Sequence, residues 1–146
     1  DYIYITGRVD DVINVAGHRL STAEMEEIVA SHHSVAECAV IGINDELKGQ
    51  IPLALVVAKS GEDIEHFQLQ HEVVHLVREQ IGAVASLRDV VVVNRLPKTR
   101  SGKILRKMMR SIADGEQFQI PSTIDDEAII DEIRDVLEHA KIGCFK

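Results

Sequence analysis

This sequence predicts an α+β fold with one small sheet, and three observations predict it. Short apolar runs of strand character recur at 39–43, 53–57 and 90–93. Between them, apolar residues recur at helical spacing, at 22–30 and again at 67–80. The chain opens with apolar and polar residues alternating around Asp10 and Asp11, the pattern of short paired strands. The elements read ββ-α-β-β-α-β-α with a further helix in the tail. That is a small sheet with an N-terminal β-hairpin-like element and flanking helices.

Each element has a local reason. Ile3, Ile5, Val12, Ile13 and Val15 supply β-branched content to the opening strands, and Gly17 permits a turn or close approach that a Cβ would block. Ser21 or Thr22 can cap the first helix, with Glu24 following. Met25, Ile28 and Val29 then share one face, and the helix should end near 31–34. The loop NDELKGQIP separates the two central strands. A turn at 60–63 leads to a helix over 67–80 that buries Leu69, Val73, Leu76 or Val77, and Ile81, with Gly82 as its cap. Residues 97–103 are polar and turn-prone, and a short helix is expected over 104–112. After a loop at 121–123, Asp125 or Asp126 can cap a last helix running to about Ala140.

Composition excludes several classes. The 146 residues are enough for one core. Acidic residues outnumber basic ones 24 to 16, a formal charge of −8, which argues against a generic nucleic-acid or membrane-surface binder. No apolar run approaches the ~18 residues of a membrane span. The opening DYIYITG lacks the basic start and apolar run of a secretory signal. Its abrupt entry into a strand pattern, without an initiator Met, suggests a piece of something longer. Cys38 and Cys144 are too few for a disulfide framework or a zinc site, and Cys38 is expected as a buried thiol. A reducing compartment fits.

The densest chemical signal lies at 95–110. Seven of the sixteen basic residues stand there, Arg95, Lys98, Arg100, Lys103, Arg106, Lys107 and Arg110, with no acid among them. Such a patch on an acidic chain is a candidate anion site or a solvated basic helix. Within it, Thr99, Ser101, Gly102 and Lys103 offer hydroxyls, backbone amides and an ammonium just before a helix. It is not a Walker loop, because Pro97 stands where the first Gly belongs and Ile104 follows the Lys. The second signal is GRVDDVINVAGHR at 7–19, two arginines and two aspartates around a hairpin-like element with a glycine at its start and another near its end. A third pattern, HEVVH at 71–75, fits a zinc-peptidase helix with His71 and His75 one turn apart, but the extended signature is missing.

In content and order, the segments GRVDDVINVAGHRLSTAEME, LKGQIPLALVV and LPKTRSGKILRK resemble the C-terminal signatures of adenylate-forming enzymes, specifically short-chain acyl-CoA synthetases. The tail PSTIDDEAIIDEI looks more like propionyl- than acetyl-CoA synthetases. The resemblance implies the mobile C-terminal lid domain at 1–113 and a C-terminal extension with one helix at 114–146. The partner it implies is a large N-terminal adenylation domain of the same chain, with no nucleic acid and no membrane involved. The implied reaction uses ATP with Mg2+ to turn a short-chain carboxylate, propionate or acetate, into an acyl-adenylate, then transfers the acyl group to CoA. Lys103 falls at the family's catalytic lysine and Asp10 at its hinge. Arg8 and Arg19 match ATP-binding arginines, while Ala16, Gly17 and Arg78 match CoA-binding positions. The carbonyls of Ala30, His32 and Val35 match a metal-holding helix end. Such enzymes suit the bacterial cytoplasm or the mitochondrial matrix. An anion- or nucleic-acid-binding module at 95–110, and a zinc peptidase, are the competing readings.

Overall fold

The computed structural model describes residues 12–60, 64–82 and 87–145. Strands β1 (Val12–Val15) and β2 (His18–Ser21) form a hairpin that leads into α1 (Thr22–Ala30). A long hairpin of β3 (Val35–Asp45) and β4 (Gly49–Ala58) follows, then α2 (His66–Gln80) and β5 (Asp89–Val92). Helices α3 (Arg106–Asp114) and α4 (Ala128–Ala140) complete the order, with a short 3-10 turn at Gly143–Phe145. All five strands join one sheet in which β4 is central. Strand β3 lies antiparallel along one edge of β4, while β1 at Gly49 and parallel β5 from Leu53 share the other.

Helices cover both faces of this sheet, which explains the unbroken apolar runs. Ala39, Ile41, Ile43, Ile51, Leu53, Leu55 and Val91 pack with α3 and α4. Cys38, Val40, Ala54, Val56 and Val90 pack with α1 and α2 on the opposite face. Ile129, Ile130, Ile133 and Leu137 of α4 thus share a core with Met108, Met109 and Ile112 of α3. On the other face, burial pushes the Cys38 thiol up to about 12, helped by the nearby Glu26 carboxylate.

The expected elements are present, with shifted ends. Ser21 caps α1 by accepting the Glu24 N–H at 3.1 Å. Strands β3 and β4 outrun their apolar cores because backbone pairing carries their polar ends, from Asn44 opposite Gln50 to Asp45 opposite Gly49. Pro52, expected in a loop, lies inside β4 where its outer edge passes from β1 to β5. On α2, Val77 rather than Leu76 is the buried residue, and Gly82 follows the cap Ile81. Helix α3 begins two residues late: Ile104 pairs with Lys98, and the Leu105 N–H donates to the Pro97 carbonyl at 2.9 Å. Asp126 accepts the Ala128 N–H at 3.0 Å and so serves the start of α4. No helix among the described residues is long and apolar enough to cross a membrane.

Candidate active site

Lys103 stands on a small hairpin over 97–105. Lys98 pairs with Ile104 across it, and the Thr99 N–H donates to the Lys103 carbonyl at 2.9 Å. The Gly102 N–H returns to the Thr99 carbonyl, and Gly102 has φ +94°, a left-handed conformation that an L side chain adopts only at a cost. Thr99 Oγ1 accepts the Lys103 N–H at 3.1 Å and lies 3.0 Å from Ser101 Oγ. These hydroxyls hold the loop together, so the segment presents a lysine rather than cradling a phosphate. The Lys103 side chain is exposed and has no carboxylate partner among the described residues. Beside it opens a hollow of about 740 Å³, lined by Lys103, Leu105, Lys107, Met108, Phe118 and Pro121 among others.

The basic segment is less of a patch than its composition implies. Arg95 pairs with Asp126 at 2.9 Å and forks onto both oxygens of Glu132. Those contacts hold the Asp126 carboxyl below the usual range, after the Ala128 N–H. Lys98 pairs with Glu37 of β3 at 2.8 Å. Arg106 makes a bidentate pair with Glu26 of α1, at 2.8 and 2.7 Å. Glu26 also accepts the Val40 N–H at 3.1 Å, closing an outward backbone donor of the edge strand β3. Three of the seven cations therefore brace the Lys103 hairpin against α1, β3 and α4, which weakens the nucleic-acid reading. Local spacing could not reveal these pairs, because their members lie 31 or more residues apart. The distances along the chain are 80 residues for Arg106 with Glu26 and 61 for Lys98 with Glu37.

The other candidate turn joins β1 to β2. Ala16 and Gly17 have φ of +52° and +88°, the paired positive values of a tight type I′ hairpin. The Ala16 N–H donates to the Lys48 carbonyl at 2.8 Å, and the Asn14 N–H to Gln50 Oε1 at 3.0 Å. Arg19 lies opposite Asn14 in the register, and both are exposed. Arg78 is exposed in the last turn of α2. No hydrogen bond or ion pair joins it to this hairpin among the described residues. Arg8 and Asp10 lie outside the described residues.

The turn carrying Ala30, His32 and Val35 is closed largely by its own bonds. The His32 carbonyl already accepts the Val35 N–H at 3.1 Å, and the Ser31 hydroxyl donates to the Ile28 carbonyl at 2.6 Å. His32 Nδ1 accepts the Ser34 N–H, so its Nε2 is the donor toward Glu72 at 2.7 Å. Bonds from His32 and Gln68 hold Glu72 below the usual carboxylate range. The HEVVH segment is thereby spent on structure: Glu72 ties α2 to this turn, while His75 pairs with Glu79 at 3.0 Å. Among the described residues, no three His, Cys, Asp or Glu side chains group as a metal centre.

Comparisons with known proteins give this α+β domain its family. Residues 24–103 match the family described as AMP-binding enzyme C-terminal domain, and the chain belongs to it. The chain is 49% identical over 142 residues to the mitochondrial acyl-CoA synthetase short-chain family member B of Dictyostelium discoideum, covering 97% of this chain and 21% of that protein. It is 46% identical over 141 residues to the propionate–CoA ligase of Escherichia coli strain K12, covering 94% and 22%. The crystal structure of a Brucella canis acyl-CoA synthetase superposes with TM-score 0.65 at 36% identity, covering 72% of this chain and 19% of that one. The chain thus spans about a fifth of the length of the curated relatives it matches.

Proposed function

We propose that this chain is the lid of an AMP-forming acyl-CoA synthetase acting on a short-chain carboxylate, propionate or acetate. The observation that carries this reading is Lys103, exposed and without a carboxylate partner among the described residues, on a hairpin that Arg95, Lys98 and Arg106 brace. In the first step a carboxylate oxygen attacks the α-phosphorus of ATP, supplied with Mg2+, and the bond to pyrophosphate breaks. The Lys103 ammonium bridges the carboxylate and the α-phosphate, offsetting charge where the bond forms. In the second, the CoA sulfur attacks the acyl carbonyl, its thiol proton is lost, and AMP departs.

A large N-terminal domain would supply the acyl pocket and the rest of the nucleotide site. Rotation about Asp10 would exchange the two turns between steps. Arg8 and Arg19 then meet the nucleotide, Ala16 and Gly17 flank the pantetheine arm, and Arg78 approaches CoA's phosphate end. A cation on the carbonyls of Ala30, His32 and Val35 is left with no part in either step. The names of the relatives support the acyl class, and one of them is called mitochondrial and another comes from a bacterium, in keeping with a setting in mitochondrial matrix or bacterial cytoplasm.

The test is carboxylate-dependent pyrophosphate exchange by the full-length enzyme, with acetate, propionate and longer acids compared. Propionate or acetate should give the highest kcat/KM, and the 146-residue chain alone should release no pyrophosphate above background. Exchange that ignores short acids, or turnover by the isolated chain, overturns the reading.

A further inference from the structure

The Lys103 hairpin has a second partner. Its outer edge would expose the Arg100 N–H and the Lys98 carbonyl, but residues 123–125 take both. The Arg100 N–H donates to the Thr123 carbonyl at 2.8 Å, and the Asp125 N–H donates to the Lys98 carbonyl at 2.9 Å. Thr99 and Ile124 stand opposite one another as an antiparallel bridge. The first limb of the hairpin is therefore the middle of a three-stranded ribbon, with Ile104 of the second limb on one side and Ile124 on the other. Ile124 is 5% exposed and belongs to the core built from α3, α4 and one face of the sheet. Directly after it, Asp126 pairs with Arg95, whose guanidinium also forks onto Glu132 of α4. Arg95 lies at the entry to the same hairpin. The tail thus grips the loop at its base through charge and at its edge through backbone bonds, while the family match itself ends at residue 103.

We propose that residues 123–126, with the Arg95 clamp, form a positioning element that sets where the Lys103 ammonium stands during adenylation. This rests on the assignment of Lys103 to that step. A short hairpin with a glycine at its tip is intrinsically loose. Tethering both its base and its edge to a packed core removes that freedom before substrate arrives, and misplacement of a reacting group by about 1 Å can cost on the order of 10²-fold in rate. None of residues 123–126 needs to touch substrate, so their effect should fall on one half-reaction.

The experiment uses the full-length enzyme carrying this chain. Asp125→Pro deletes the N–H that bonds Lys98, and Arg95→Gln dissolves the charge clamp without touching the backbone bonds. Both half-reactions are read, pyrophosphate exchange for adenylation and thioester formation from supplied acyl-adenylate, along with amide exchange over 97–105. We expect kcat for exchange to fall about 10- to 100-fold with KM for ATP little changed, and thioester formation to stay within about twofold. Amides over 97–105 should exchange about tenfold faster or more. Arg95→Lys, which keeps a charge for Asp126, should recover part of the loss. If Asp125→Pro fails to fold, Arg95→Gln alone decides.

Equal losses in both half-reactions, or none in exchange, overturn the proposal. Lys103→Ala measured alongside separates the two layers. If it cripples exchange while the positioning variants do not, only the positioning role falls. If Lys103→Ala is itself harmless to exchange, the reading beneath it falls as well.

Discussion

Gly102 and Gly17 share a left-handed backbone, with φ of +94° and +88°, and in neither does an added Cβ meet an atom within 4 Å, although Ala16 before Gly17 is left-handed as well and Ser101 before Gly102 is not. Their surroundings differ. The first is tied by hydroxyls of its own, by ion pairs to α1, β3 and α4, and by a backbone bridge to the tail. Among the described residues, the second is held to β4 and its loop by the Ala16 N–H on the Lys48 carbonyl, the Asn14 N–H on Gln50 Oε1 and a single bridging pair of Val15 with Gly49. A turn that must hold a charge at one point needs many braces. A turn whose task is to leave room needs only a backbone shape and small side chains. The contrast supports giving the two turns to different half-reactions.

The strongest way to break that contrast is to swap their failures. Lys103→Ala in the full-length enzyme should lower pyrophosphate exchange by about 10²–10³ and largely spare thioester formation from supplied acyl-adenylate. Gly17→Leu should do the reverse, because a branched side chain would fill the open space at Gly17 that the proposed function gives to the pantetheine arm. If Gly17→Leu abolished exchange while thioester formation survived, the roles of the two turns would be exchanged.

How much of this was legible in the chain differs between the two turns. The hairpin at 12–21 and its Ala-Gly turn could be read locally, since alternating β-branched residues and a glycine encode them within a few positions. The candidate lysine stood out by its motif. Its support did not: Glu26 and Glu132 are unremarkable acids on predicted helices, and Glu37 one ahead of a predicted strand, until the fold carries them to Arg106, Arg95 and Lys98. A local pairing misled the reading of the α3 start. Helical spacing continued through Ile104 and Leu105, but pairing with Lys98 and Pro97 holds those two residues outside the helix. HEVVH, the least favoured reading, has a structural use that spacing did not show, because Glu72 finds a partner in His32, forty residues away.

A smaller effect should separate the two turns by stability. Glu26→Ala leaves Arg106 without its bidentate partner, with a side chain only 18% exposed, and strips the Val40 N–H of its acceptor. Breaking a mostly buried pair in this way costs about 3 kcal/mol, which denaturant midpoints of the 146-residue chain would register. Because Arg106 opens the helix that follows the Lys103 hairpin, exchange by the full-length enzyme should suffer more than thioester formation. The double variant Glu26→Ala with Arg106→Leu should regain part of the stability, since it removes the half-buried cation together with the carboxylate that faced it. A Glu26→Ala chain as stable as the parent would mean that the brace contributes nothing.

The smallest predicted effect is the most direct comparison. Gly17→Ala and Gly102→Ala each place a Cβ on a left-handed backbone with open space around it. Strain is then the only local cost, about 1 kcal/mol at either site. The two chains should therefore unfold at nearly the same denaturant concentration, both slightly below the parent. Function should not follow stability. Relaxing the Gly102 turn moves the neighbouring Lys103 N–H away from Thr99 Oγ1, so exchange should fall severalfold in Gly102→Ala. In Gly17→Ala the single methyl stays small, as it already is at Ala16, and both half-reactions should remain near normal. Equal stability with unequal exchange would show that the braces around Gly102 serve placement of the lysine rather than the fold. If Gly102→Ala were much the less stable of the two, the braces would be holding the domain together, and the contrast between the turns would be one of stability alone.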